Sequence, residues 1–150
     1  MQGKEMEDKK CNCWRKTECP LGNRCLTSGI VYLATVSTDE KTETYVGLTD
    51  TPFKSRYANH KQSFNKSTYK NQTELSKYIW DLKEKKKSFR LSWRILGRAR
   101  RYSNTTKKCG LCTLEKYFII CHREMASLNK RSELGGSCRH ATKFLLKNFC

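Results

Sequence analysis

The sequence predicts an α+β fold, a small three-stranded antiparallel sheet flanked by helices in the order β-β-α-α-β-α. Three observations lead there. Ile30–Val36 is apolar and rich in β-branched residues, and TETYVGL (42–48) follows after the five-residue break STDEK; that is the pattern of a β-hairpin. FRLSWRIL (89–96) alternates: Phe89, Leu91, Trp93 and Ile95 face one way, Arg90, Ser92 and Arg94 the other, as in a half-exposed strand. Between and beyond these strands the apolar residues recur at helical spacing.

Taken in order, residues 1–10 are polar and are expected to be disordered. Residues 11–28 hold a cysteine cluster with two turn signals, Pro20 and Gly22. The run from Ile30 suits a strand buried on both faces. Thr51 as a cap and Pro52 at the first helical position open a helix, with Phe53, Tyr57 and Phe64 near one stripe. Thr73 caps a second helix, in which Leu75, Tyr78, Ile79 and Leu82 keep the i, i+3, i+4, i+7 rule before KEKKK (83–87) ends it. GRARRYSNTTKK (97–108) is a basic loop. LCTLEKYFIIC (111–121) is a third helix through Leu111, Leu114, Phe118 and Cys121, the last read as a core thiol. SLNKRSELGGS (127–137) is a polar turn region, and RHATKFLLKNF (139–149) a short basic helix. The expected division is a disordered segment 1–10, a cysteine-rich segment 11–28, a core 29–134 and a basic tail 135–150.

Charge is the dominant compositional signal. The 150 residues carry 31 Lys+Arg against 14 Asp+Glu, a net +17 spread along the chain, which points to a polyanionic partner. No apolar run approaches the ~20 residues of a membrane-spanning helix. The charged start MQGKEMEDKK has no apolar stretch of a signal peptide, so an intracellular location is expected.

Nine cysteines in a reducing compartment are read as metal ligands rather than disulfides. Cys11, Cys13, Cys19 and Cys25 crowd the N-terminal loop, Cys109 and Cys112 form a C-x2-C knuckle, and Cys138 and His140 a C-x-H pair. These eight would fill two tetrahedral Zn²⁺ sites, one from the first four and one from the last four. Mixed sites are the alternative, because a strand 89–96 antiparallel to strand 30–36 would bring the knuckle towards Cys19 and Cys25. Cys150 is left over as a free thiol. Either way zinc would staple the N-terminal loop and the C-terminal tail to a small core.

Arg56 and His60 stand at i and i+4 and project from one helix face. Tyr32 lies in the first strand, Tyr45 across the hairpin, Glu115 interrupts an apolar helix and Asn129 comes later in a turn. The succession GIVY, YVG, Arg56-x3-His60, Glu115 in LEKYFI and Asn129 in LNKRSEL resembles the GIY-YIG nucleases over roughly Gly29 to Glu133. GIVY carries one residue more than GIY, and Tyr32 is aligned as the tyrosine of that strand. The cysteine clusters are similar to those of the endonuclease modules of eukaryotic mobile elements, Penelope-like retroelements in particular.

The resemblance implies a metal-dependent DNA endonuclease that nicks or cuts both strands, leaving a 5′-phosphate and a 3′-hydroxyl. In it Glu115 would hold a catalytic Mg²⁺ or Mn²⁺, Arg56 would fork onto phosphate, and Tyr32 or His60 would take a proton from water. Tyr45 would orient water or phosphate and Asn129 would position a neighbouring group. It also implies a mobile-element origin, a nuclear location and a polymerase domain in cis or in trans. The competing reading is a zinc-stapled nucleic-acid-binding module without catalysis. A secreted, disulfide-rich basic protein is a third, and it would need a signal peptide.

Overall fold

The computed structural model describes residues 10–100, 105 and 109–130. They form an α+β fold with one three-stranded sheet and three α-helices: β1 Ile30–Ser37, β2 Thr42–Thr49, α1 Phe53–Asn65, α2 Glu74–Glu84, β3 Arg90–Arg98 and α3 Gly110–Cys121. The strand order is β2-β1-β3, with β1 antiparallel to both neighbours. Tyr32 therefore faces Gly47 on one side and Ile95 on the other. A bulge between Val31 and Tyr32 shifts the β1–β3 register, and β3 runs two residues past the predicted Leu96 to Arg98.

The central strand is buried on both faces, as its unbroken apolar run requires. Val31, Leu33 and Val46 pack beneath α3 with Leu111 and Ile119. Ala34, Val36 and Tyr45 pack on the opposite side with Phe64 of α1 and Leu75, Ile79 and Leu82 of α2. Ile30, Tyr32 and Phe53 form a third cluster with Tyr57, Trp93 and Ile95. The half-exposed alternation of β3 is present, its arginines Arg90 and Arg94 outward and Trp93 inward.

Helix ends agree with the sequence in one case and depart from it in another. Thr73 caps α2 in a reciprocal capping box with Ser76. At α1 the cap is Pro52, not Thr51, and it makes no side-chain cap bond. The first amides are taken elsewhere: Phe53 N–H donates to the Thr27 carbonyl and Lys54 N–H to the Cys25 carbonyl, at 3.0 and 2.7 Å. Thr51 is engaged instead with Thr49 Oγ1. Cys121 is exposed rather than in the core, because α3 ends there and its buried contacts run through Leu111 and Ile119. The 139–149 helix, the segment 1–9 and Cys150 lie outside the described residues.

Residues 124–129 seal the outer edge of β2. Leu128 N–H donates to the Thr44 carbonyl at 2.9 Å, and Thr44 N–H donates to Ser127 Oγ at 2.7 Å. Buried Asn129 then presents its side-chain amide as a strand would present a peptide: Oδ1 accepts from Val46 N–H at 2.8 Å and Nδ2 donates to the Val46 carbonyl at 2.9 Å. Asn129→Ala strands both Val46 groups, at a cost of about 1–3 kcal/mol for each one left unsatisfied. Asn129→Asp keeps the acceptor but sets an oxygen against the Val46 carbonyl. Both variants are expected to unfold at lower urea concentration than the parent, and an Asp variant of unchanged stability would refute the two-bond clamp.

Candidate functional site

A hydrogen-bonded group of polar side chains lies where α1 crosses β1. Tyr32 is fully buried, and its hydroxyl lies 2.7 Å from His60 Nε2 and accepts from Arg56 Nε at 3.2 Å. The spacing of Arg56 and His60, one helical turn apart, brings both to one phenol. Trp93 of β3 closes the aromatic wall, with ring centroids 5.3 Å from His60 and 5.9 Å from Tyr32. Tyr45 meets His60 edge-on, at 6.2 Å between ring centroids.

Protonation states are set by burial. Taking His60 out of water, helped by the Arg56 charge, pulls its pKa down to about 3, so the imidazole is neutral at physiological pH. The bond assignment that satisfies all three groups has Arg56 donating to the phenol oxygen and the phenol donating to Nε2. Burial also raises the Tyr32 pKa, against the lowering effect of Arg56. Glu115, half-buried on α3, is close enough to act electrostatically on both Tyr32 and Arg56. Arg56 also feels Tyr45.

The glycine of YVG has a steric reason. A Cβ at Gly47 would lie 2.5 Å from the Tyr32 Cζ and hydroxyl oxygen, so only glycine on β2 lets the phenol cross to α1. Asn129 grips Val46, the residue after Tyr45, so among the expected site residues it positions a strand. Trp93, read as one of the apolar residues of a strand, is part of the site wall. Strand alternation placed it on the correct face but carried no sign of this contact.

A second constellation sits at the start of α1. The sulfurs of Cys11, Cys13, Cys19 and Cys25 all lie within 4.8 Å of one another, with Cys13–Cys25 at 3.6 Å and Cys11–Cys25 at 3.5 Å. These four could hold a metal ion. A tetrahedron with ~2.3 Å metal–sulfur bonds has edges of about 3.8 Å, which this spacing brackets. Burial opposes ionisation of Cys19, but the Leu21 N–H, the Cys11 thiol and the Asn23 and Cys25 N–H groups outweigh it and bring the thiol down to about 6. Burial, with its thiol neighbours, holds Cys25 up at about 12.

Among the described residues these four sulfurs group together without Cys109 and Cys112, which favours the simple partition over the mixed one. Cys109 is buried at the start of α3 in the Val31–Leu111 cluster, with Cys112 packed against it. Cys138 and His140 lie outside the described residues, and no second group of three or more such ligands occurs among the described ones. The cysteine loop is joined to α1 twice over. Cys25 and Thr27 supply the carbonyls that accept its first amides, and Lys54 Nζ donates to Asn12 Oδ1. No helix among the described residues is long and apolar enough to cross a membrane. Comparison with protein-family models, curated proteins and solved structures finds no match.

His60 gives the site a pH signature. Its folded pKa of about 3 lies below the ordinary 6.5, so between these values the unfolded chain binds the proton and the folded chain does not. Stability contributed by the neutral imidazole is intact above pH 6.5 and is lost as pH falls below it, by up to about 1.4 kcal/mol per pH unit. The His60 Cε1 proton resonance is expected to stay flat from pH 8 to pH 5. A midpoint near 6.5 would show that the ring is not held neutral.

Proposed function

We propose that this protein is a divalent-metal-dependent DNA endonuclease that hydrolyses phosphodiester bonds. The observation that carries the reading is the buried Arg56–Tyr32–His60 hydrogen-bonded group with the Glu115 carboxylate in electrostatic range. It supports phosphate chemistry because a fixed guanidinium, a neutral imidazole and a carboxylate meet in a chain of net charge +17. The order of these residues, which resembles that of the GIY-YIG nucleases, supports the same reading.

Arg56 spends Nε on the phenol, and its Nη edge would meet the scissile phosphate. Water attacks phosphorus, the bond to O3′ breaks, and a 5′-phosphate and a 3′-hydroxyl result. The attacking water would give its proton to the Tyr32 oxygen as the phenol passes its own across 2.7 Å to His60 Nε2. Burial keeps bulk water from that hydroxyl. A phosphate beside Arg56 would also offset the charge that depresses His60, making the imidazole a better acceptor when substrate is bound. Tyr45, on the same sheet face, would orient the water. Glu115 would hold Mg²⁺ or Mn²⁺, which when bound neutralises charge on the phosphate. Exposed lysines and arginines would grip the backbone without choosing a sequence.

Zinc is the metal that suits four clustered thiolates, and we assign it to Cys11, Cys13, Cys19 and Cys25, with a second ion at Cys109, Cys112, Cys138 and His140. The first would fix the carbonyls that cap α1 and so the helix that carries Arg56 and His60. Mass spectrometry of protein purified without added metal should find about two zinc ions per chain, and Cys25→Ser should lose one. Verified metal removal is expected to lower the melting temperature and cleavage together. Zero zinc, or full stability without it, would overturn the assignment.

Incubation of supercoiled plasmid with Mg²⁺ tests the main reading. Nicked or linear product is expected from the parent chain. Glu115→Ala should reduce cleavage by about 100-fold or more while DNA binding persists, as for loss of an essential charge-stabilising group. Cleavage within about tenfold of the parent would remove Glu115 from the chemistry. DNA retention with no cutting by the parent would leave a zinc-stapled binding module.

A further inference from the structure

The metal loop presents one residue that its own architecture does not use. Trp14 is 99% exposed, the most exposed large apolar side chain described. It lies between Cys13, a member of the thiol cluster, and Arg15. The loop is closed and anchored just before it: Leu26 N–H donates to the Lys10 carbonyl at 2.8 Å, and Asn12 accepts from Lys54 of α1. A rigidly based, solvent-facing indole costs little further entropy when it binds a flat partner.

The surroundings decide what that partner is. Residues 10–28 carry Lys10, Arg15, Lys16 and Arg24 against a single acid, Glu18, and Arg15 and Arg24 are exposed beside the indole's loop. Lipid insertion calls for a contiguous apolar face, whereas Trp14 is followed by a charged side chain and flanked by polar ones. An aromatic platform within positive charge is the arrangement that holds a nucleic-acid strand by stacking on its bases. Bases inside a paired duplex are already stacked on each other, so the platform selects an unpaired one. The loop adjoins the first turn of α1, and Arg56 follows Lys54 by two residues on that helix.

We propose that Trp14 stacks on an unpaired nucleobase, so that the chain favours DNA with a single-stranded segment, such as a flap or gap, over continuous duplex. The proposal rests on the nucleic-acid-binding reading above and is separable from it.

The experiment uses the full, metal-loaded chain and measures dissociation constants by fluorescence anisotropy. The probes are a duplex, the same duplex with a single-stranded flap, and vesicles containing phosphatidylserine. Trp14→Ala should weaken binding of the flapped DNA about tenfold, within the range of one lost base–aromatic stack, and change duplex binding less than twofold. Trp14→Phe should recover most of the loss. Flapped DNA should also quench parent tryptophan emission more than that of Trp14→Ala, since Trp80 Nε1 is bonded to the Ser63 carbonyl and Trp93 is packed among aromatic rings. An affinity of Trp14→Ala for the flapped DNA within twofold of the parent's, or a parent chain that binds the two DNAs equally, overturns the stacking role and leaves DNA binding standing. Emission shifts with vesicles but not with DNA overturn it in favour of a membrane contact. A parent chain that binds neither DNA overturns both readings.

Discussion

A single buried hydroxyl organises this molecule. β1 is covered on both faces, yet it carries Tyr32 at its centre with no exposed surface. A phenol there must find partners inside the protein, because leaving its oxygen unpaired costs about 1–3 kcal/mol. Each neighbouring element is shaped by that demand. α1 supplies Arg56 and His60 from successive turns, β2 gives way at Gly47 so the ring can cross, and β3 contributes Trp93 as the wall. The same demand that stabilises the fold also fixes a guanidinium and a neutral imidazole in one place.

The position of α1 is determined from outside its own sequence. Helices usually begin with a side chain that captures the first free amides; here carbonyls of a cysteine loop capture them. At its far end the helix is held by α2, where Trp80 Nε1 donates to the Ser63 carbonyl at 2.7 Å and Lys83 Nζ donates to the Phe64 carbonyl. Both termini are thus fixed by other parts of the chain, and the weakly amphipathic helix between them stays put without a strong apolar face of its own. This explains how a helix as polar as FKSRYANHKQSFN can carry a rigid pair of functional side chains.

Periodic features were legible in the sequence and contact-dependent ones were not. The three strands, the three described helices and the Thr73 cap are readable from alternation, helical spacing and capping chemistry. So is the meeting of Arg56 and His60 on one face. The group Cys11, Cys13, Cys19 and Cys25 was legible as ligands by chemistry, but its closure as a separate set depends on how residues 19–25 turn. Thr51 misled because two adjacent residues can each begin a helix, and the carbonyls that settled it are more than twenty residues upstream. Cys121 misled because its spacing fits the apolar stripe, but the helix ends at that residue. Asn129 pairs with Val46, 83 residues away, through side-chain bonds to a backbone. No local pattern encodes such a pairing.

That pairing constrains how the chain can drift over evolutionary time. A strand added to a sheet edge makes repeated backbone bonds, so it can slip by two residues and still satisfy most of them. The contact on β2 ends in one side-chain amide that replaces a single peptide group. Length is therefore locked between Cys121, where α3 ends, and Asn129, because an insertion or deletion there moves the amide that pairs with Val46. Families built on this design should keep that short connector fixed in length.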